Sequence, residues 1–394
     1  MSIKFASRIN DLKPSGIRLI NEKALKLERQ GKKVYHFELG RPDFDTPDYI
    51  KKACIASIEN GDVYYTSNFG KQDLRQEIAD YLSTKKNIPA AADNILVTVG
   101  LAEAIFDVFT VLLEKGDEIL VPDPVWMNYI NIPKLLGATP VTYNLKEEND
   151  YQPDIEEIEK KITIRTKAIV IVSPHNPTGS MLREENVRKI AELVRKYDLV
   201  VIDDEVYERL TYSEERHISI ASLPEMFERT VTLNGFSKAY SMTGWRIGYV
   251  AASSEWIQAL NKIHQINTTS ATSFVQTAAI VALRDEDTEV EDMRLEYQKR
   301  RDFVYERINQ IQGISCSKPQ GAFYSFINIK ELKVSAEEFV HYLLDNYGIA
   351  LVPGTVFGDN GNGYIRMSFA NSLEEIQAGL DLLEKAVKNL VVRN

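Results

Sequence analysis

The sequence has 394 residues, enough for two or three ordinary domains or one large domain with a smaller attachment. Its 47 basic against 57 acidic side chains give a net charge of −10, which argues against nucleic acid as the main partner, because phosphate binding wants a basic face. Cys54 and Cys316 are too few for a disulfide framework and lack metal-ligand spacing, no apolar run approaches membrane-spanning length, and MSIKFASRIN has no signal-peptide core, so a cytoplasmic protein with reduced thiols and no metal centre is expected.

In chain order, NILVTVG (Asn94–Gly100) reads as a strand ending in glycine. LAEAIFDVFTVLLEKG spaces its apolar residues as a helix does, and DEILVP is again a strand. KAIVIVSP is a short apolar strand, REENVRKIAELVRKY a helix and LVVIDDEVY another strand; TVTLNGFSK and RIGYVAA follow. Continuous β-branched runs separated by amphipathic helices predict a mostly parallel sheet covered on both faces. From about Thr288 the pattern changes to a long charged helix, then GAFYSFINI and GYIRMSFA, which alternate like half-exposed strands. SAEE (Ser335–Glu338) and SLEE (Ser372–Glu375) predict capping boxes. The expected division is an N-terminal arm over 1–45 that packs with the small domain, a large α/β domain over 46–287, and a small α+β domain over 288–394.

The strand ends carry the candidate chemistry. Gly100 closes a strand and opens a helix, so Leu101 and Ala102 offer free backbone N–H groups and a positive dipole end to an anion. Trp126, in PDPVW, can stack on a flat ring or fill the core. Asn176, in SPHNPTG, can donate and accept, although structural turns look similar, and His175 beside it reads as a loop residue. In DDEVY either aspartate can lie inside and hold a protonated ring nitrogen, and Tyr207 follows closely. Lys238, in SKAYSMTGWRIGY, stands at the end of an apolar strand, where a desolvated amine forms Schiff bases with aldehydes. Arg246 can clamp a phosphate bidentately. All of these follow strands of one sheet, the edge where open α/β sheets bind ligands. A pyridine aldehyde bearing a phosphate, pyridoxal 5′-phosphate, needs this set.

The chain resembles the class I, aspartate-aminotransferase-like family of pyridoxal-phosphate enzymes of fold type I. The resemblance runs nearly end to end, through GRPDFDTP, YYTSNFGKQDLR, VTVGLAEA, PDPVWMNY, HNPTG, DDEVY, SKAYSMTGWRIGY, PQGAFY, VPGTVFG and YIRMSFA. It implies a large domain with a mostly parallel, seven-stranded-type sheet flanked by helices, and a smaller α+β domain. It also implies that Lys238 is the Schiff-base lysine and proton carrier, and that Asp204 pairs with the pyridinium nitrogen. Tyr207 and Asn176 then bond the ring oxygen, Trp126 stacks on the ring, and Leu101, Ala102 and Arg246 hold the phosphate. Arg366 and the backbone at Gly40 hold the substrate carboxylate, with Asn176 near it. Tyr65 corresponds to the tyrosine that reaches the neighbouring subunit's phosphate, which implies a homodimer with shared active sites. Cis bonds before Pro124 and Pro177 are also implied.

Two departures bear on these expectations. Many relatives carry a hydroxyl residue where this chain has Gly235, with Ser237 next to the lysine. Some aspartate-specific relatives carry a lysine where this chain has Ala102. Arg18, in KPSGIRLI, falls in a segment that closes over substrate in such enzymes, and can pair with an acidic side chain or simply be a solvated helix residue. The expected activity is amino-group exchange between an L-amino acid, neutral, aromatic or acidic, and a 2-oxo acid, with 2-oxoglutarate and glutamate as one pair. The same fold and cofactor also serve carbon–sulfur β-lyases and biosynthetic oxidases or cyclases. A transcription regulator's effector-sensing module fits less well, because the segment before GRPDFDTP is short and the chain acidic. A nicotinamide dehydrogenase is disfavoured, since no G-x-G-x-x-G follows the first strands.

Overall fold

The computed structural model describes residues 3–10, 12, 14–284 and 288–391. The boundary expected after residue 287 adjoins 285–287, which lie outside the described residues. Among the described residues, thirteen strands run in chain order: β1 (Tyr35–His36), β2 (Ile95–Thr98), β3 (Glu118–Asp123), β4 (Thr139–Asn144), β5 (Thr166–Val172), β6 (Val200–Asp204), β7 (Thr230–Gly235), β8 (Gly248–Ala251), β9 (Ser315–Cys316), β10 (Tyr324–Asn328), β11 (Ile349–Ala350), β12 (Val352–Pro353) and β13 (Tyr364–Ser368). The helices are α1 (Gly16–Arg29), α2 (Asp48–Glu59), α3 (Gln72–Lys86), α4 (Leu101–Leu112), α5 (Asn128–Leu136), α6 (Ile155–Lys161), α7 (Glu184–Tyr197), α8 (Ser254–Asn267), α9 (Ser273–Arg284), α10 (Thr288–Asn309), α11 (Ala336–Tyr347) and α12 (Leu373–Val391).

Seven strands form the main sheet in the order β2-β8-β7-β6-β5-β3-β4. The pairs β3/β4, β3/β5, β5/β6 and β6/β7 are parallel, and only β8 runs antiparallel to its neighbours β7 and β2. The chain turns back after β7 with just a short 3-10 turn, Thr243–Trp245, instead of a crossover helix, so β8 must return antiparallel. Because β8 reverses twice in the order, β2 shares the direction of β7, and the carboxyl ends of β2, β3, β5, β6 and β7 lie along one edge.

Alternation along β6 sorts its two acids. Ile202 joins the core built with α4 and α5, and Val201 joins the core built with α7, so Asp204 and Asp203 face opposite layers.

A second, antiparallel sheet has the order β12-β13-β10-β9, and β1 pairs in parallel with β11. Ile20, Ala24, Val34 and Phe37 share one core with α10, α11 and α12. Ser335 and Glu338 form the full reciprocal capping box of α11. At α12 the Ser372 hydroxyl accepts from the Glu375 N–H at 3.2 Å.

Candidate active site

The β2–α4 turn is built around Gly100, whose φ of 76° suits glycine. The Arg246 guanidinium packs so closely on Gly100 that a Cβ there has no room. Arg246 also donates to the Thr243 carbonyl at 3.1 Å and the Val99 carbonyl at 3.5 Å. Leu101 and Ala102 occupy the first turn of α4, whose N–H groups lack intrahelical partners. Gly235 has a physical reason: it pairs with Gly248 on β8, and a Cβ would stand 2.9 Å from the Gly248 Cα. No hydroxyl side chain fits there.

Lys238 follows β7 and donates from Nζ to the Gly40 carbonyl at 2.6 Å. The rings of Tyr207 and Phe323 flank it, 5.5 and 5.7 Å from Nζ. Burial lowers its pKa to about 8, with the nearby Arg366 and Arg246 charges acting the same way and Asp204 opposing them. A substantial neutral fraction at physiological pH makes this amine a nucleophile.

Asp204, on the last position of β6, is buried. It accepts from the Tyr129 hydroxyl at 2.7 Å and from the Val206 N–H at 3.1 Å. Burial raises its pKa to about 6 despite those bonds. Asp203 is equally buried but on the far face, where burial and the neighbouring Glu205 carboxylate push it well above the usual range.

Arg366, on β13, is 1% exposed. It donates to the Asn176 side-chain oxygen at 3.1 Å and to the Glu38 carbonyl at 2.5 Å, while its Nε has no hydrogen-bond partner within the protein. Tyr324 and Phe357 face the guanidinium, 4.4 and 4.9 Å from Cζ. The Tyr207 and Tyr324 hydroxyls meet at 2.7 Å. Trp126 is half-buried and lies edge-to-face with Tyr129. A cleft of about 670 Å³ adjoins this region, lined by Ser15, Ile17, Trp126, Lys134 and Phe357 among others, but not by Lys238 or Asp204.

Lys238, Tyr207, Asn176, Arg366 and Gly40 are linked by direct contacts or shared rings, and Asp204 acts on Lys238 by its charge and adjoins Trp126 through Tyr129, with the Gly100–Arg246 turn on the same sheet edge. Two residues stand apart. Arg18 is exposed on the first turn of α1, and Tyr65 is 88% exposed. His175, read as a loop residue, is buried against Thr178 at 2.8 Å, and burial lowers its pKa to about 3. The cis bonds before Pro124 and Pro177 are present, and a third, unanticipated, precedes Pro174. Sequence reasoning also passed over Tyr129 and Tyr324, although both stand inside quoted motifs, PDPVWMNY and PQGAFY.

The chemistry of this donor set fits a pyridine aldehyde phosphate. It offers a poised amine, a buried carboxyl, a half-buried indole and a cradle with an arginine against bare backbone. The comparisons with known proteins agree. Residues 32–383 match the family described as aminotransferase class I and II, and the chain belongs to that family. It is a pyridoxal-phosphate-dependent aminotransferase. Aspartate aminotransferase of Pyrococcus abyssi is 40% identical over 97% of this chain and 98% of its own. Aromatic-amino-acid aminotransferase 2 of Thermococcus litoralis is 36% identical over 97% and 98%. The solved alanine aminotransferase of Pyrococcus furiosus superposes with a TM-score of 0.93 at 35% identity, covering 98% of this chain and all of that one.

Proposed function

We propose that this enzyme exchanges the amino group between an L-amino acid and a 2-oxo acid, with glutamate and 2-oxoglutarate as one pair. The observation that carries the reading is the pairing of a half-buried Lys238 amine, its pKa lowered to about 8, with a buried Arg366 whose Nε lacks a partner within the protein. Such an arginine suits a carboxylate held bidentately. When bound, the cofactor supplies an electron-withdrawing ring that accepts the electron pair left as the substrate's α-proton departs.

The protein's residues have separate tasks in this reading. Lys238 Nζ would hold the cofactor aldehyde and, as a free amine, would carry the proton between the substrate α-carbon and the cofactor C4′. Asp204 keeps the ring nitrogen protonated, since its ionised carboxylate is stabilised by an adjacent cation. Tyr129 orients Asp204. Tyr207 and Asn176 would bond the ring oxygen, and Trp126 would stack on the ring. Leu101, Ala102 and Arg246 seat the phosphate. Arg366, Asn176 and the backbone at Gly40 bind the α-carboxylate, and Trp126 excludes water from that side.

Substrate choice falls to the groups around the side chain: Ser15, Ile17, Arg18, Ala102, and Tyr64, Thr269 and Ser270 of a second copy. Ala102 provides no cation, and most of the rest are neutral. Neutral and aromatic donors therefore suit the site, with glutamate handled partly through Arg18. The relatives' printed substrates span aspartate, aromatic amino acids and alanine, so likeness alone leaves the choice open. The reading includes a cytoplasmic homodimer, which the exposed Tyr64 and Tyr65 support. It also includes the three-part division at 45 and 287. Among the described residues, no helix is long and apolar enough to cross a membrane.

The test mixes holoenzyme with each amino acid and follows the cofactor's visible absorbance, then adds an oxo acid to reverse the change. Reversible conversion supports amino transfer. Pyruvate and ammonia released from cystathionine without an oxo acid make the enzyme a lyase instead.

A further inference from the structure

Behind the β2–α4 turn lies a buried charged cluster that the reaction does not use. Glu103, Asp107 and His264 bring ligand-type atoms within 4.8 Å of one another. His264 and Asp107 are completely enclosed, and His264 Nε2 and Asp107 Oδ2 have no hydrogen-bond partner within the protein. Enclosing three ionisable groups is costly unless they are paired.

Glu103 explains where the cluster acts. It is the third residue of α4, directly behind Leu101 and Ala102. Its carboxylate accepts the backbone N–H of Val99, and on its other side lies 2.8 Å from His264 Nδ1. Arg246 holds the carbonyl of the same residue, Val99. Val99 is thus gripped on its N–H by Glu103 and on its carbonyl by Arg246. In an ordinary capping box the third-position glutamate reaches the N-cap N–H, but here it reaches one residue earlier, which leaves the Gly100, Leu101 and Ala102 N–H groups for an anion. His264 also accepts, through its carbonyl, the N–H groups of Thr268 at 2.8 Å and Thr269 at 3.0 Å.

Burial raises Asp107 to about 7, aided by the Glu103 charge, so Asp107 is largely protonated below neutrality. Burial would also raise Glu103, yet its bonds to His264, Thr268 and Val99 keep it below the ordinary range. The group facing Glu103 from the side opposite Val99 is His264, through Nδ1.

We propose that His264 and Glu103 are positioning residues for the cofactor phosphate, Glu103 fixing the turn through Val99 and His264 holding the Glu103 carboxylate in place. This rests on the reading that the turn at residues 99–102, with Arg246, seats the phosphate.

The test compares dissociation constants of pyridoxal phosphate and pyridoxal on protein stripped of cofactor, each read by absorbance and by borohydride labelling at Lys238. Wild type is expected to favour the phosphate ester strongly; equal binding of the two would remove the phosphate-seat reading itself. Glu103→Ala is expected to weaken the ester about tenfold, the scale of one lost charged hydrogen bond, with pyridoxal within about twofold. Glu103→Gln still accepts from Val99 and carries no charge, so it is expected to retain wild-type ester binding. His264→Gln is expected to weaken the ester by less than Glu103→Ala does, with pyridoxal spared, and to add nothing in the Glu103→Ala background, a non-additivity that an independent structural role does not produce. The two glutamine variants carry the test should Glu103→Ala not fold. Equal losses for ester and pyridoxal, additive effects, or an ester affinity that falls on adding a chelator overturn the proposal.

Discussion

Tyr129 donates its hydroxyl to Asp204 at 2.7 Å, and both residues are almost fully enclosed. The contact selects one of two adjacent acids and fixes the carboxylate's direction. Asp204→Asn should fold but lose turnover by several orders of magnitude, because an amide cannot hold the ring nitrogen protonated. Asp203→Asn should stay within a few-fold of wild type, since it changes the far face of β6. Tyr129→Phe should fall between them, near tenfold, for one lost hydrogen bond to a charged group. Steady-state kinetics on all three decides the matter, and a larger loss from Asp203→Asn would reassign the acid.

Lys238 should be the residue that borohydride labels. Peptide mapping of the reduced holoenzyme should find the cofactor on the peptide containing it. Lys238→Ala should bind cofactor weakly and lose nearly all turnover, because nucleophile and proton carrier go together. Label on another lysine would sink the assignment.

The unloaded protein should show the cost of its own active site. The folded value of Asp204 is raised from 3.8 to about 6, so its stabilising effect is present below pH 3.8 and is lost as pH rises through about 6. Cofactor-free Asp204→Asn should therefore melt higher than cofactor-free wild type at pH 7 to 8, by about 3 kcal/mol, and the gain should vanish near pH 4. Lys238 works in the opposite sense: its folded value is lowered from 10.5 to about 8, so its contribution is present above pH 10.5 and is lost as pH falls through about 8. Thermal melts of stripped protein across this range test both signs.

Arg366→Ala should raise KM for every amino acid and every oxo acid, whereas Arg18→Ala should act selectively. Loss of a charged pair with a side-chain carboxylate should weaken glutamate about tenfold or more while sparing a neutral donor. Half-reaction titrations with glutamate and phenylalanine separate the two. Aspartate as the best donor by a wide margin, or equal effects of Arg18→Ala on all donors, would contradict the specificity reading.

Tyr65 is 88% exposed and does not meet its own chain's Lys238 cluster. Tyr65→Phe should weaken cofactor retention only in the dimer, and sedimentation should find a dimer at working concentration. A fully active monomer at nanomolar concentration rules out the shared site.

Six strands of the main sheet were legible as short apolar runs, as in KAIVIVSP and LVVIDD, whereas β4, TPVTYN, is half-exposed at the sheet edge and was not read as a strand. Strand direction was less so: β8 reads like its parallel neighbours, and only the absence of a helix between residues 236 and 247 reverses it. The chemistry-bearing residues announced themselves by standing at strand ends. Their supports did not, because hydrogen bonds join residues far apart in sequence. Tyr129 lies 75 positions from Asp204, Tyr324 lies 117 from Tyr207, and His264 lies 161 from Glu103. No local pattern marks such pairs. The choice between Asp203 and Asp204 came from resemblance, since alternation alone lets either face the site.

The Gly40 and Glu38 carbonyls, two residues apart, receive Lys238 and Arg366. In the unloaded chain this short run of backbone receives two cations that, among the described residues, form no direct ion pair with a carboxylate. A ligand that binds only the native state stabilises it by about 2.7 kcal/mol at a hundredfold excess over its dissociation constant. A newly made chain awaiting cofactor is thus the form that opens most often and that proteases cleave first. Steady-state abundance of this enzyme in a growing cell should therefore follow the supply of cofactor, with turnover of the empty chain acting as an inventory control that requires no dedicated regulator.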